Sequence, residues 1–548
     1  MDGKLIINNR RIETADKKKS INPATLETLG EFCLASSADC REAVQAAVSA
    51  FPGWSTLESK EKQAIFKRAK AILLERIEET AALVSKEKGS PFAESLISEI
   101  QAGGLEALDY YGRNLKKALR PRKAAHHVSF FAHKKSSFAF HPLGPTLIIS
   151  PWNYPFVIPM TDILSALTAG NTVVLRPSTS TPYTALRIGE IFQEAGLPPG
   201  VLNVVNCRVP QAEEMLVNPD IQTIMFTGST ATGKRIMELA SRNLTHIVLE
   251  LGGKDPMIVL DDADLERTAR GAVWGAFTNC GQVCSSIERA YVHHKVAGEF
   301  IERVVRLTKS LKIGDPLEPG TDVGPLTIPS QLDTVEDHIQ DAKDKGAQVL
   351  FGGRRREDLP GYFFTPTVLA QVDHSMKIMT EETFGPVIPV MTFLNTEEAI
   401  RLANDSSYGL TASVWTRNRK KASSLADKLH AGTVTVNDHM FSFVEPGALW
   451  GGVKHSGFGR SHGPYGLLEM VNIKYISQDF STKKTQLWWF PYRHDLPHML
   501  GVAAKVFHHP RLKEKMRALP SLLPYLSRIH KGSPLGNYIK GLFRLMKK

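Results

Sequence analysis

The sequence predicts an α/β fold: a doubly wound parallel sheet, a second α/β domain and a small hairpin. Three observations carry this prediction. Between residues 146 and 251, short β-rich runs alternate with helix-length stretches. The runs are TLIIS (146–150), TVVLRPS (172–178), LNVVN (202–206), QTIMFTGS (222–229) and HIVLEL (246–251). Repeated βα units build a parallel sheet covered on both faces, with ligands at the carboxyl ends of the strands. A second alternating region runs from DPMIVLDDADLE (255–266) to GTVTVND (432–438). Ahead of both, SFFAHKKSSFAFHPLG (129–144) sets aromatic runs around Lys134-Lys135 and reads as a hairpin.

The remaining elements follow from spacing. Glu58 to Leu115 is rich in Ala, Leu, Lys and Glu at helical intervals, with Gly89 as a stop signal. YTALRIGEIFQEAG, between two of the strands, reads as a helix. At 548 residues the chain is expected to hold two to four domains at about 100–200 residues each. No apolar run is long enough to span a bilayer, and the first 20 residues lack the apolar segment of a signal peptide.

The net charge of +11 is unevenly placed. From Ser481 onward there are 14 Lys and Arg against only Asp495 and Glu514, leaving 53 basic and 54 acidic residues in the rest. A neutral body with a basic tail predicts no nucleic-acid partner. Five cysteines without framework spacing point to a reducing, cytoplasmic setting.

Several strands run into polar motifs. TLIIS leads to Pro151-Trp152-Asn153-Tyr154-Pro155, and QTIMFTGS leads to Gly228-Ser229-Thr230-Ala231-Thr232-Gly233-Lys234-Arg235. The latter resembles a P-loop, but Arg235 stands where the magnesium-binding hydroxyl belongs, which disfavours a phosphotransferase. A glycine turn opening a helix remains, suited to a pyrophosphate or to structure alone. Glu250 follows three apolar residues, Ile247 to Leu249, so it is either a desolvated base or one half of a pair with Lys254 or Arg235. In FTNCGQVCSS (277–286), Cys280 and Cys284 lack the further ligands zinc needs, so no metal site is expected. A buried apolar pair or a nucleophile with a neighbour stays open.

Six motifs in one order, PWNYP, FTGST, LELGGK, FTNCGQVC, EETFGPV (381–387) and GGVKHSGFGR (451–460), resemble the NAD(P)-dependent aldehyde dehydrogenase superfamily. The resemblance spans roughly 21 to 480. It implies Cys284 as nucleophile, Asn153 with the Cys284 N–H as oxyanion donors, and Glu250 as the base that hydrolyses a thioester. It makes Cys280 a packing residue and gives Lys254 a tuning role at Glu250. Trp152, Arg176, Ser178, Thr179, Gly228, Ser229, Thr230, Ala231, Thr232, Gly233, Glu382 and Phe384 are implied to hold NAD or NADP. Where the family commonly has a ribose-binding glutamate this chain has Thr179, so NADP use is open. Tyr154 (at the mouth), Val157, Ile158 and Thr161 are implied to line a funnel for an apolar aldehyde.

The implied domains are 1–124 with 143–252 for the dinucleotide, 253–447 for catalysis, and 125–142 with 466–480 as oligomerisation strands of a homodimer or homotetramer. VNIKYIS (471–477) is the expected neighbour of the hairpin. Residues 481–548 form a basic extension with two readings. It is either a packed or solvated appendage, or a peripheral contact with anionic membrane through Trp488, Trp489, Phe490, Tyr492, Phe507, Tyr525 and Phe543. A catalytically silent, membrane-associated relative is the alternative function.

Overall fold

A computed structural model of the chain describes residues 2–126, 131, 133–482, 484–486 and 488–530. The described chain divides into two compact units. One runs to Ala118 and includes Pro142–Asn472; the other comprises Leu119–His141 and the chain from Ile473 onward.

The first unit contains both large sheets. All five strands expected between 146 and 251 form, as Thr146–Ile149, Val173–Arg176, Leu202–Val204, Thr223–Thr227 and His246–Glu250. They are parallel, with Thr146–Ile149 central between Thr223–Thr227 and Val173–Arg176. Antiparallel strands close the two ends of this sheet, Gly457–Phe458 at one and Leu5–Ile7 with Arg10–Ile12 at the other. The second sheet has seven strands, all parallel apart from the pairing of Gln348–Phe351. Its core is a cluster of Val, Ile, Leu and Phe from Met257 to Leu429 that also encloses Cys280.

The start of the Val157–Ala169 helix is fixed by a buried acid. The Glu99 carboxylate accepts the N–H groups of Phe156 and Val157 at 3.0 and 2.7 Å. Its charge is balanced by Lys88 at 2.8 Å, both side chains being wholly buried. Glu99 lies in a π-helical segment, Ser95–Glu106, inside the stretch expected as continuous α-helix. The wider turn admits Gly103 against Val157, where a Cβ would collide with the valine side chain. The Pro182–Glu194 helix is held alike, with Glu87 accepting from Tyr183 N and Thr184 N.

In the second unit, Val471–Asp479, Lys134–Pro142 and Arg122–Ala124 form a three-stranded sheet in that order. The tail forms helices Leu496–His508 and Leu512–His530, packed through Val502, Ala503, Val506 and Leu522.

Glu99→Leu leaves Lys88 buried without its counter-charge and two N–H groups without an acceptor. It is expected to cost about 3–5 kcal/mol, read as a lower urea midpoint. Asp109→Ala, which removes a partly exposed partner of Lys70, is expected to cost about 1 kcal/mol or less. Equal losses in the two variants contradict the assignment.

Candidate active site

Cys284 follows a turn that L-residues rarely adopt. Asn279, Cys280 and Gly281 have φ of 50°, 55° and 74° in succession. Gly281 has no alternative, since a Cβ there would strike the Gly385 carbonyl. The strain, about 1–2 kcal/mol for each non-glycine residue, is held by hydrogen bonds. The Asn279 N–H donates to Glu94 at 2.9 Å, and its side-chain amide donates to the Asn153 carbonyl at 2.8 Å. Gln282 donates to the Asn279 carbonyl at 2.9 Å and accepts from Thr327 N at 2.9 Å. Cys280 is thereby buried in the core, while Cys284 faces two cavities.

The larger cavity, about 580 Å³, runs to Cys284 past Tyr154, Ile158, Trp274, Phe277, Val283 and Phe443. The smaller, about 20 Å³, has Cys284, Glu250, Asp162, Thr161, Ser461 and His462 in its wall. Of the four expected funnel residues, Tyr154 and Ile158 line the larger cavity and Ile158 and Thr161 the smaller. Val157 lines neither and packs on the π-helical segment. Tyr154 is buried rather than at a mouth, with Lys88 Nζ 4.0 Å from its ring centroid.

Asn153 is buried and donates one amide hydrogen to the Gln282 carbonyl at 3.0 Å, leaving the other for a second acceptor. Glu250 ends its strand with neither carboxylate oxygen hydrogen-bonded. Burial, and then the charge of Asp162, hold its carboxyl well above the usual range, against the pull of Arg460. Lys254 does not partner it. Lys254 Nζ is 2.5 Å from Glu288, whose carboxylate accepts from Thr383 N and Phe384 N, each at 2.8 Å. Arg235 is likewise committed elsewhere, to Glu213 and Glu238. Burial, then the charges of Asp255, Glu382 and Glu250, push the Cys284 thiol up.

The expected cofactor residues gather at the carboxyl ends of the first sheet and on the 382–384 segment. Two neighbouring helices have their N-termini met by Glu99 and Glu87, but the Thr230–Ala240 helix does not. Ser229, Ala231 and Thr232 are exposed there, which leaves an anion-binding end open. Gly228 N donates to the Glu250 carbonyl at 3.0 Å, and Ser229 Oγ accepts from Thr232 N at 3.3 Å. Thr230 donates to the His455 carbonyl at 3.0 Å, and Gly233 packs on Leu251. Glu382 accepts from Gly253 N at 2.9 Å, and burial pushes its carboxyl up to about 8. Trp152 and Phe384 meet edge to face at 5.6 Å. Ser178 Oγ accepts from Ser180 N at 3.2 Å. Arg176, expected to offer its fork to a phosphate, donates one N–H to the Cys207 carbonyl at 3.0 Å and keeps its Nε without a partner. The cation at Thr179 is Lys18, whose Nζ donates to Thr179 Oγ1 at 3.2 Å. These donors and the open helix end fit a dinucleotide.

Among the described residues no group of three or more His, Cys, Asp or Glu could hold a metal ion. A half-buried cysteine shares a cavity wall with a buried glutamate that ends a strand of a dinucleotide-type sheet, an arrangement of the kind found in oxidoreductases. The family model for the aldehyde dehydrogenase family matches residues 11–476. A chloroplastic betaine aldehyde dehydrogenase of Beta vulgaris is 37% identical over 478 residues, covering 84% of this chain and 93% of that protein. Aminoaldehyde dehydrogenase 1, peroxisomal, of Pisum sativum is 37% identical over 481 residues, covering 86% and 94%. An E. coli NADP-dependent enzyme superposes with a TM-score of 0.84 at 34% identity, covering 87% of this chain and 98% of that one. A betaine aldehyde dehydrogenase mutant of Staphylococcus aureus in complex with NAD+ gives 0.84 at 32%, covering 89% and 99%. The chain belongs to the aldehyde dehydrogenase family and is an NAD(P)-dependent enzyme of small-molecule aldehydes.

Proposed function

We propose that this chain oxidises an apolar aliphatic or aromatic aldehyde to its carboxylic acid, with Cys284 as nucleophile, Asn153 as oxyanion donor and Glu250 as hydrolytic base. The observation that carries the reading is the position of Cys284 in the walls of both cavities, with Glu250 in the smaller. Cys284, as thiolate, forms a C–S bond to the aldehyde carbon. The new oxyanion accepts from the free amide hydrogen of Asn153 and from the Cys284 N–H. NAD or NADP, when bound, supplies the hydride acceptor. Water then attacks the cysteine thioester, its proton passing to Glu250 while the C–S bond breaks and the acid leaves.

The apolar wall of the larger cavity supports an apolar substrate, since Glu94, Arg270 and Asp322 are its only charged side chains. The names of the relatives favour a second reading, an aminoaldehyde or betaine aldehyde, with Tyr154, Trp274 and Phe443 offering aromatic faces to a cation. Hexanal and benzaldehyde are expected to exceed 3-aminopropanal and betaine aldehyde in kcat/KM; the reverse order selects the second reading. Cys284→Ala is expected to abolish turnover and Cys280→Ala to keep most of it. Glu250→Gln is expected to leave a burst of reduced cofactor near one per site, followed by a slow steady state. Equal loss in the two cysteine variants, or no burst, overturns the roles.

NADP is accepted as well as NAD under this reading, because Thr179 brings no charge and Lys18 stands beside it. Lys18→Ala is expected to weaken 2′,5′-ADP binding about tenfold or more, the loss of one charge-assisted contact, and 5′-ADP little. Equal changes by calorimetry reject a 2′-phosphate contact.

The enzyme is taken as a homodimer or homotetramer joined through the three-stranded sheet, where Phe138, Ile473 and Tyr475 are exposed; sedimentation of a Tyr475→Lys variant as a monomer tests this. The tail is taken to rest on an anionic membrane. Trp489, Phe490, Tyr492, Leu512 and Met516 are exposed and support this. Trp488 is exposed although it meets Phe131 at 5.1 Å, and Phe507 is partly buried against the packing of the two tail helices. Tyr525 meets His498, and Phe543 lies outside the described residues. No helix among the described residues is long and apolar enough to cross a membrane. At about 1 kcal/mol per basic residue near the surface, the full chain is expected to co-sediment with anionic vesicles at low salt and not at high salt. A chain ending at Phe480 is expected to stay in the supernatant; identical partitioning rejects the contact.

A further inference from the structure

The small cavity holds a second acid that the proposed chemistry leaves unused. Asp162 lies on the Val157–Ala169 helix, is buried, and shares the cavity wall with Glu250 and Cys284. A void of about 20 Å³ leaves no bulk water to separate the two carboxyls. In such a space two carboxylates oppose each other's ionisation and titrate as a pair.

We propose that Asp162 is a positioning residue for the base, its charge setting the pH at which Glu250 can accept a proton across the shared cavity. This rests on the reading of Glu250 as the hydrolytic base.

The neighbours leave the interaction between the two acids uncompensated by a close cation. Around Glu250 stand Arg460, the Ser461 hydroxyl, Cys284 and, further off, Glu469. Arg460 is the cation that pulls on it, and its guanidinium already donates to the carbonyls of Gly452 and Gly459 at 3.1 and 2.6 Å. Around Asp162 stand Glu250 and the buried Tyr111, whose phenol is itself pushed up. His462 approaches from the loop after Arg460 with Nε2 3.1 Å from Thr161 Oγ1. Burial holds that imidazole down to about 4, so it brings no charge near neutrality. Thr161 Oγ1 also lies 2.9 Å from the Val157 carbonyl. The acids therefore share the wall of one small cavity, with Arg460 pulling on Glu250 alone of the two.

The sign follows. Burial pushes the Asp162 carboxyl up to about 8 and holds that of Glu250 well above the usual carboxylate range. Hydrolysis of an acyl group on Cys284 should then rise with pH at values above the usual carboxylate range. Removing the Asp162 charge eases the ionisation of Glu250, so the rise moves to lower pH. A residue that only filled space would change the amplitude and leave the midpoint where it was.

The test is cofactor-free hydrolysis of p-nitrophenyl acetate by the full chain, with the deacylation rate followed against pH. Asp162→Asn is expected to move the midpoint down by roughly one pH unit or more, and Asp162→Glu to restore it. Should Asp162→Asn fail to fold, Asp162→Ser removes the same charge with less bulk and reads the same shift. Glu250→Gln in parallel separates the two ideas. If it abolishes deacylation while Asp162→Asn keeps the wild-type midpoint, Asp162 plays no such part and the base reading stands. If it leaves both rate and profile intact, Glu250 is not the base and the proposal falls with it.

Discussion

The buried Glu99 carboxylate is the constraint on which the rest of the site depends. Its two hydrogen bonds to Phe156 and Val157 set where a helix begins, and the helix start sets where Asn153, Ile158, Thr161 and Asp162 lie. A buried carboxylate is costly unless paired and hydrogen-bonded. Lys88 balances this one and also sits over the Tyr154 ring. The π-helical segment is what brings Glu99 close enough. Glu87 plays the same part at Pro182–Glu194. The helix beginning at Thr230 lacks such a plug, and its open end is where an anion fits.

Acidity is the second theme. Glu250, Asp162, Asp255 and Glu382 all have carboxyls pushed up by burial, and the Cys284 thiol is raised with them. Lys254 is spent on Glu288, which holds the backbone of Thr383 and Phe384. Burial therefore favours the protonated forms of these groups. That environment suits groups that must stay neutral until a reacting atom arrives.

Much of this was legible in the sequence. The five parallel strands were readable because short β-rich runs have few alternatives when helix-length segments separate them. The cysteine, glutamate and asparagine could be named from motifs; the structure puts the cysteine and glutamate in the wall of one small cavity, and the asparagine on the Gln282 carbonyl two residues before the cysteine. Long-range pairing was not legible. Nothing local says that Leu5–Ile7 joins the first sheet, or that Lys254 belongs to Glu288 rather than to Glu250. Lys18 sits in a run of three lysines, and only the hairpin Lys17–Ile21 with Thr28–Cys33 brings it to Thr179. The π-helical segment escaped because its wider turn answers to packing at Gly103 rather than to propensity. Arg176 was read as free because a backbone carbonyl 31 residues away leaves no mark in sequence.

The smaller cavity has a consequence for what the enzyme releases. A void of about 20 Å³ has room for about one water molecule. If the acyl group on Cys284 is attacked from that side, glutathione, alcohols and amines are shut out by size, whatever their reactivity. The product is then the free acid even in a compartment crowded with stronger nucleophiles, and product analysis in excess thiol reads this directly. Chemical identity at the carbonyl would be settled by the dimensions of a hole rather than by the affinity of a pocket.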